Sequence, residues 1–505
     1  MAATTLPITT KRPFLAWEVL LGQSPRSASG RKRCIIVSPQ NNTPGTATAN
    51  TIYPLPDAVT AATLGGYGNP AHRMRIAASE ANRNVDWSVV FAADADVKTQ
   101  ATYTMAITGT TASESKVMSI RVGDTTVPCA VTFGDTPTIV GTAMVAAVNG
   151  DTSLPVTAAG TTTVTFTSKA NGTLSTSIDL YVTDVAAGIT VGTPIGTMTA
   201  GTGAPKWSAA YAAIEASSTH YDYIVPACAT LAELNTGTGN LRDRIGADAL
   251  AGVRKRMQVI LGWKGTEGTG ATFSSGFDTG TVAASEPGIR FSIVWFENGL
   301  VEEYVMAARW ASQRCGLEEV DPNVCLGGFD GMVITGAVPP PAVLGDPLPA
   351  DIESALGSGL SPVIYDQDAG TCRLVLSITC KDTTGGGDDY RAWTTNKITV
   401  CDYIADDLQT AEYDKYSGKK VVSDNASGDP ENLPKNCTTP SLIGDFVCDR
   451  LNSVHAAAGL IEQVPRSAVV VERNATVPSR VDQWADVEVV PWPLQFAGEI
   501  HEVSP

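Results

Sequence analysis

Tyr221-Asp222-Tyr223-Ile224-Val225-Pro226-Ala227, Met257-Gln258-Val259-Ile260-Leu261-Gly262-Trp263 and Ile289-Arg290-Phe291-Ser292-Ile293-Val294-Trp295 are three short apolar runs. They are rich in β-branched and aromatic residues and closed by Gly or Pro, which reads as strands rather than helices. A helical segment over 231–256 separates the first two. After the third, Leu300, Tyr304, Ala307, Ala308, Ala311 and Cys315 recur at i+3 and i+4 and so share one helix face. Strand, helix, strand and strand, helix in this order predict a mainly parallel α/β sheet flanked by helices.

Outward from that centre, the chain of 505 residues is too long for one core and predicts several domains. Strands are expected at 33–37 and 85–91, with helices at 56–64 and 71–82. Between 95 and 203 the composition turns to Thr, Ala, Gly and Val, with period-2 runs and one helix at 138–149. This stretch reads as a strand-rich domain inserted into the α/β one, and as a surface insertion it is expected to be removable. Pro339-Pro340-Pro341 reads as a stiff connector. Beyond it come a short helix at 351–356, a strand over 372–380, an amphipathic helix over 395–416, and a helix over 441–458 capped by Ser441. The resulting division is an N-terminal arm and linker at 1–32, an α/β core at 33–94 and 204–340, the insertion at 95–203, a C-terminal α+β domain at 341–484, and a C-terminal arm at 485–505.

Both chain ends carry strands without a hairpin partner nearby. Residues 14–21 alternate, with Phe14 leading and Leu15, Trp17, Val19 and Leu21 on one face. Near the other end, 485–493 reads as a strand broken by prolines and carries Val487, Val489, Val490 and Trp492. An unpaired strand has unsatisfied N–H and C=O groups, which the edge of a neighbour's sheet would satisfy.

A net charge of −17 argues against a nucleic-acid surface, which needs a local excess of Lys and Arg. The basic cluster at 26–33 reads as a solvated loop. No apolar run reaches 18 residues, and the N-terminus makes a poor signal peptide, so no membrane insertion is expected and the product is expected to stay in the cytoplasm of the cell that makes it. Catalytic chemistry finds little footing. His72, His220, His455 and His501 lie in unlike contexts, and no Gly-x-Ser-x-Gly elbow or Cys-x-x-Cys occurs. Gly65-Gly66-Tyr67-Gly68 lacks the Lys-Ser/Thr of a phosphate loop. Asp382, Asp388 and Asp389 could ligate Ca²⁺, but the EF-hand spacing is missing and a flexible acidic loop is the simpler reading. No enzyme, catalytic residue, metal or cofactor is expected.

Several stretches, in this order, resemble the tail sheath proteins of contractile bacteriophages, most closely the Mu-like branch. They are Tyr221-Asp222-Tyr223-Ile224-Val225-Pro226, Arg256-Met257-Gln258-Val259-Ile260-Leu261-Gly262, Leu326-Gly327-Gly328-Phe329-Asp330-Gly331 and Ala355-Leu356-Gly357-Ser358-Gly359-Leu360-Ser361-Pro362. In the insertion, Val145-Ala146-Ala147-Val148-Asn149 followed by Leu154-Pro155-Val156-Thr157-Ala158 is also similar. The chain departs from the family in its cysteine count and at Leu376-Ser377-Ile378-Thr379-Cys380-Lys381. The resemblance implies a helical homopolymer around a tail tube protein, with baseplate and tail terminator proteins as further partners. It also implies an insertion that projects outward and arms that bind neighbouring subunits. The location implied is the phage tail of a virion, assembled in the host bacterial cytoplasm. A non-contractile virion or surface protein for structure or adhesion is the alternative.

Ten cysteines are many for a cytosolic product. Cys372, Cys380 and Cys401 lie on apolar faces and read as buried thiols. Cys34, beside the N-terminal arm, and Cys437, in a polar loop, are expected near subunit boundaries. With Cys129, Cys228, Cys315, Cys325 and Cys448 they are candidates for disulfides formed after release, some of them between subunits.

Overall fold

The computed structural model describes residues 31–40, 45–228, 230–235, 239–248, 256–278, 287–380, 393–424, 433, 435–473 and 481–492. They fall into two compact units, a larger one at 31–402 joined by the residues after 490, and a smaller one at 403–490.

The larger unit begins with β1 (Arg33–Pro39), β2 (Ile52–Pro54), α1 (Ala58–Gly65), α2 (Pro70–Ala81) and β3 (Asp86–Ala92). The inserted stretch follows as β4 (Gln100–Gly109), β5 (Lys116–Val122), β6 (Thr125–Val131), α3 (Pro137–Gly150), β7 (Val156–Gly160), β8 (Thr163–Asn171), β9 (Asp179–Thr183), β10 (Ile189–Val191) and β11 (Ile195–Thr197). The chain returns through α4 (Trp207–Ala216), β12 (Tyr223–Pro226), α5 (Leu231–Asn235), α6 (Leu241–Asp248), β13 (Gln258–Trp263), α7 (Glu267–Asp278), β14 (Phe291–Trp295) and α8 (Glu303–Val320). Then come β15 (Gly327–Val333), α9 (Pro349–Gly357), β16 (Ser361–Asp366) and β17 (Thr371–Leu376).

One nine-stranded sheet, in the order β15-β17-β16-β14-β13-β12-β1-β3-β2, organises this unit. From β16 to β3 every pairing is parallel, while β2, β17 and β15 pair antiparallel at the two ends. The fold is therefore mixed α/β with additional sheets. Strands covered on both faces read as continuous apolar runs, and successive residues of β1 show why. Cys34 and Ile36 enter one core with α2 and α8, whereas Ile35 and Val37 enter the other with α4 and α7. The expected C-terminal domain starting at 341 is corrected here, because β16 pairs parallel with β14 at Val294–Ser361 and extends the core sheet. Val363, Cys372 and Leu374 share the core of α2 and α8, and the Pro339–Pro341 connector only leads across to that edge.

The insertion packs two four-stranded sheets, β10-β4-β8-β7 and β11-β9-β5-β6, with α3 over a separate core that includes Met105, Ile120, Phe166 and Leu180. The chain segments that enter and leave it pair with each other through isolated antiparallel bridges between Ala93 and Lys206 and between Thr99 and Thr202.

In the smaller unit, α10 (Thr395–Tyr416), from residue 403 on, is followed by β18 (Lys420–Val421), β19 (Cys437–Thr438), α11 (Pro440–Arg450), β20 (Val469–Arg473) and β21 (Val481–Ala485). The cap of α11 is Thr439, whose hydroxyl accepts from Leu442 N–H at 3.3 Å. The expected cap, Ser441, lies inside the helix, because Pro440 has no N–H to offer and fits the first helical position. After Arg450 the helix widens into a π-turn at 451–456, which carries the fully buried His455. His455 Nε2 lies 2.9 Å from Asp407 Oδ2, and Arg450 donates to both Asp407 oxygens at 2.6 and 2.8 Å. Burial works to raise the Asp407 carboxyl, but the bonds from Arg450 and His455 win and hold it well below the usual carboxylate range.

A close backbone approach joins β13 and α8, where a Cβ on Gly262 would stand 2.2 Å from the Glu303 carbonyl oxygen. Gly262→Ala should therefore force helix and sheet apart and cost roughly 1–3 kcal/mol in thermal or urea unfolding. Gly268→Ala on the exposed side of α7 meets nothing within 4 Å and should be neutral or slightly stabilising.

Candidate assembly surface and the buried charge junction

The two-residue turn between β5 and β6 carries a chemical anchor. Val122 pairs with Thr125, leaving Gly123-Asp124 as a hairpin tip, and Gly123 takes φ +61°, as its first position in such a turn requires. A Cβ there would also press on Glu302 Oε2 at 2.7 Å. This tip enters the core between α2 and α8. Asp124 Oδ1 accepts from Arg73 Nη2 at 2.6 Å, and Oδ2 accepts from Arg309 Nη2 at 3.1 Å. Arg73 also reaches Thr125 Oγ1 at 2.9 Å and Glu302 Oε2 at 3.3 Å, and Arg309 reaches Glu80 Oε2 at 2.8 Å.

A second contact repeats the pattern beside β13. Lys264 Nζ lies 2.7 Å from Asp179 Oδ2 on β9 and also donates to the Ser177 carbonyl. Arg121 on β5 donates to the Pro339 carbonyl at 3.0 Å, which fixes the proline connector against the insertion.

Burial sets the electrostatics of this junction. It pushes the Glu302 carboxyl up, with Arg73 only partly opposing, and pushes Glu303 up against the pull of Lys264. Burial acts on Asp124 in the same sense, yet Arg73 and Arg309 outweigh it and hold that carboxyl below its ordinary value. Nearby, burial and then Arg73 push His72 down to about 4, and its Nδ1 accepts from Gly68 N–H at 3.1 Å as a neutral ring does. The expectation of a freely removable insertion changes accordingly. Cutting it away would remove Asp124 and Asp179 from Arg73, Arg309 and Lys264, three nearly buried cations, leaving Arg73 with Glu302 and Arg309 with Glu80.

The N-terminal arm residues Phe14, Leu15, Trp17, Val19 and Leu21 lie outside the described residues, as do Asp382, Asp388, Asp389 and His501. The C-terminal arm is corrected in its premise of having no local partner. The strand there is β21, four to eight residues earlier than expected, and it forms an antiparallel ribbon with β20. Val489 then bridges Ile461, with Glu462 N–H donating to the Glu488 carbonyl and Val490 N–H to the Leu460 carbonyl. Val487 and Val490 are half-buried, and Trp492 donates its indole N–H to the Asn323 carbonyl. The hydrogen-bonding groups of this segment found partners across a loop too long for the sequence to display as a hairpin. Among the described residues no third strand flanks either side of the β20–β21 ribbon. Trp484 on β21 is 49% exposed and Tyr413 on α10 71% exposed, while Gln483 reaches Glu412 at 2.7 Å.

All ten cysteines are free thiols. Cys34 is not at a boundary, because β1 runs between β12 and β3 and leaves it fully buried. Cys129, Cys228, Cys315 and Cys448 are buried as well, which keeps them from reaching another subunit, and Cys325 and Cys437 are half-buried. Cys401, expected in the core, is exposed, since the buried side of α10 there passes through Val400 and Ile404. Among the described residues no His, Cys, Asp and Glu cluster could hold a metal ion, and no helix is long and apolar enough to cross a membrane.

The junction makes a direct prediction. Asp124→Ala leaves Arg73 and Arg309 facing each other without their shared anion and should cost about 3–5 kcal/mol in denaturant unfolding. Loss of Asp96, whose pairing with Lys206 is exposed, should change stability little. Because the folded state lowers the Asp124 pKa, its contribution is complete above about pH 4, the unfolded carboxylate value, and fades as pH falls through the lower folded value. The gap in Tm between wild type and Asp124→Asn should therefore narrow as pH is taken from 7 to 3. A constant gap would show that the Asp124 charge is not what matters.

No protein-family model matches the chain, and no curated protein matches it. Among solved structures, the sheath tail protein from Desulfitobacterium hafniense is 13% identical with a TM-score of 0.46, covering 94% of this chain and 97% of its own. The sheath tail protein from Listeria innocua is 12% identical with a TM-score of 0.46, covering 93% and 94%. A chain of the anti-feeding prophage baseplate is 9% identical with a TM-score of 0.36, covering 59% and 72%.

Proposed function

We propose that this chain is a structural subunit of a contractile phage tail sheath. In this reading it polymerises helically around a tail tube protein between baseplate and tail terminator proteins, and contracts to drive the tube into the host envelope. The observation that carries the proposal is the β20–β21 ribbon, two strands with no flanking third strand among the described residues. Isolated two-stranded ribbons are marginal in water and their edges are templates for a further strand. The chain has a matching donor in the alternating 14–21 segment, with Leu15, Trp17, Val19 and Leu21 on one face. Donation of that segment to the next subunit's ribbon is a heterologous contact, and contacts of this kind build helical polymers when they do not close. The order of the sheath-like sequence stretches supports the same reading.

Contraction, on this proposal, is a change between two packings of the same subunits and needs no nucleotide. Val487, Val489, Val490 and Trp492 follow the ribbon, with Val489 bridged to Ile461 of the same chain, so the edge offered to a neighbour is that of the ribbon. The subunit acts as a scaffold and not as an enzyme, and its place is the virion tail after assembly in the bacterial cytoplasm.

Electron microscopy of the purified chain should show helical cylinders. Deleting residues 1–21 should leave a folded, soluble species that sediments as a monomer and forms none. Normal cylinders from the deletion would remove the arm from the mechanism, and globular particles from both chains would overturn the sheath reading.

A further inference from the structure

Cys34 on β1 and Cys315 on α8 place their sulfurs 3.2 Å apart with both side chains fully buried. A disulfide bond measures about 2.05 Å, so closure needs a shift of roughly an ångström. Neighbouring contacts tie the start of β1 to α8 and to the approach to β12. Lys32 N–H donates to Glu319 Oε1 at 2.8 Å, Lys32 Nζ reaches Asp222 at 3.0 Å, and Arg33 N–H reaches the other Asp222 oxygen at 2.8 Å. In the sheet, Tyr223 and Trp87 stand in register on either side of Cys34.

We propose that Cys34 and Cys315 form an oxidisable dithiol that closes to an intrachain disulfide. The oxidant is a hydroperoxide, small enough to reach a buried site during local opening. One thiolate attacks the peroxide oxygen and becomes a sulfenic acid, releasing water or alcohol. The second sulfur then attacks the sulfenic sulfur, forming the S–S bond and releasing water. Both thiol protons leave in those products, and the peroxide takes up the two electrons. Burial, and then the contact with Cys34, push the Cys315 thiol well up, which keeps the pair reduced until the core opens or an oxidant enters. Once closed, the bond spans 281 residues of chain and fastens the strand that follows residues 1–30 to the central helix of the core.

The test uses the full chain. Accessible thiols are blocked on the folded protein with N-ethylmaleimide, hydrogen peroxide is added, and the quenched sample is denatured, alkylated and weighed. Two fewer buried thiols should react than in an untreated sample, with the difference reversed by dithiothreitol. Digestion with trypsin and a Glu-specific protease should yield a peptide linking Cys34 to Cys315, cleanly separated from Cys325. The oxidised chain should also melt several degrees above the reduced one. In Cys315→Ala, folded by circular dichroism, the linked peptide should vanish and a sulfenic acid at Cys34 should be trapped by dimedone. Undiminished thiols after peroxide, or a link joining Cys34 to another cysteine, would overturn the proposal.

Discussion

Two guanidinium groups share one carboxylate at the point where the insertion meets the core, and the arrangement of the larger unit depends on that pairing. Arg73 and Arg309 come from α2 and α8, the two helices packed on the same face of the sheet, and both are almost wholly buried. Without Asp124 each would keep a single carboxylate, Glu302 for Arg73 and Glu80 for Arg309, against the cost of lost hydration. Asp124 supplies the anion from the tip of a hairpin that belongs to another β structure. A buried ion pair adds little net stability compared with apolar packing, but it penalises every arrangement in which the partners are apart. The junction therefore fixes where the insertion sits on the core. Lys264 with Asp179 makes the same demand at a second point, and two points with the chain connections define an orientation.

The smaller unit follows a different logic. Its interior is centred on Asp407, held by Arg450 and His455, and the π-turn at 451–456 places the imidazole there. Its periphery is a two-stranded ribbon with exposed Trp484 and Tyr413 close by. Soluble monomers normally shorten, charge or cover such edges.

The cysteines separate along the same line between interior and surface. Strand and helix packing absorbs most of them as small apolar side chains, which is how free cysteine usually behaves in a core. Cys34 and Cys315 lie in the same apolar cluster but also face each other, with their sulfurs 3.2 Å apart.

Much of the fold was legible in local pattern. Continuous apolar runs such as Ile35-Ile36-Val37 and Val259-Ile260-Leu261 marked strands buried on both faces, and the i+3/i+4 spacing from Tyr304 to Cys315 marked α8. Such patterns are visible because side-chain period and burial are local consequences of helix and strand geometry. The abrupt change of composition near 95 likewise marked a different kind of structure. What the tertiary structure alone decided was which distant groups meet. Gly123-Asp124 reads in sequence as an ordinary turn, and nothing near it announces Arg73 or Arg309. Cys34 reads as a strand residue beside an arm, near a subunit boundary, yet the strand order sets it inside the sheet with partners on both sides. Val489 reads as unpartnered, yet its bridge to Ile461 closes over a segment longer than any hairpin loop. Hydrogen bonds, ion pairs and sulfur contacts depend on positions in space to within an ångström. The periodicity of a sequence fixes only which way each side chain faces along its own element.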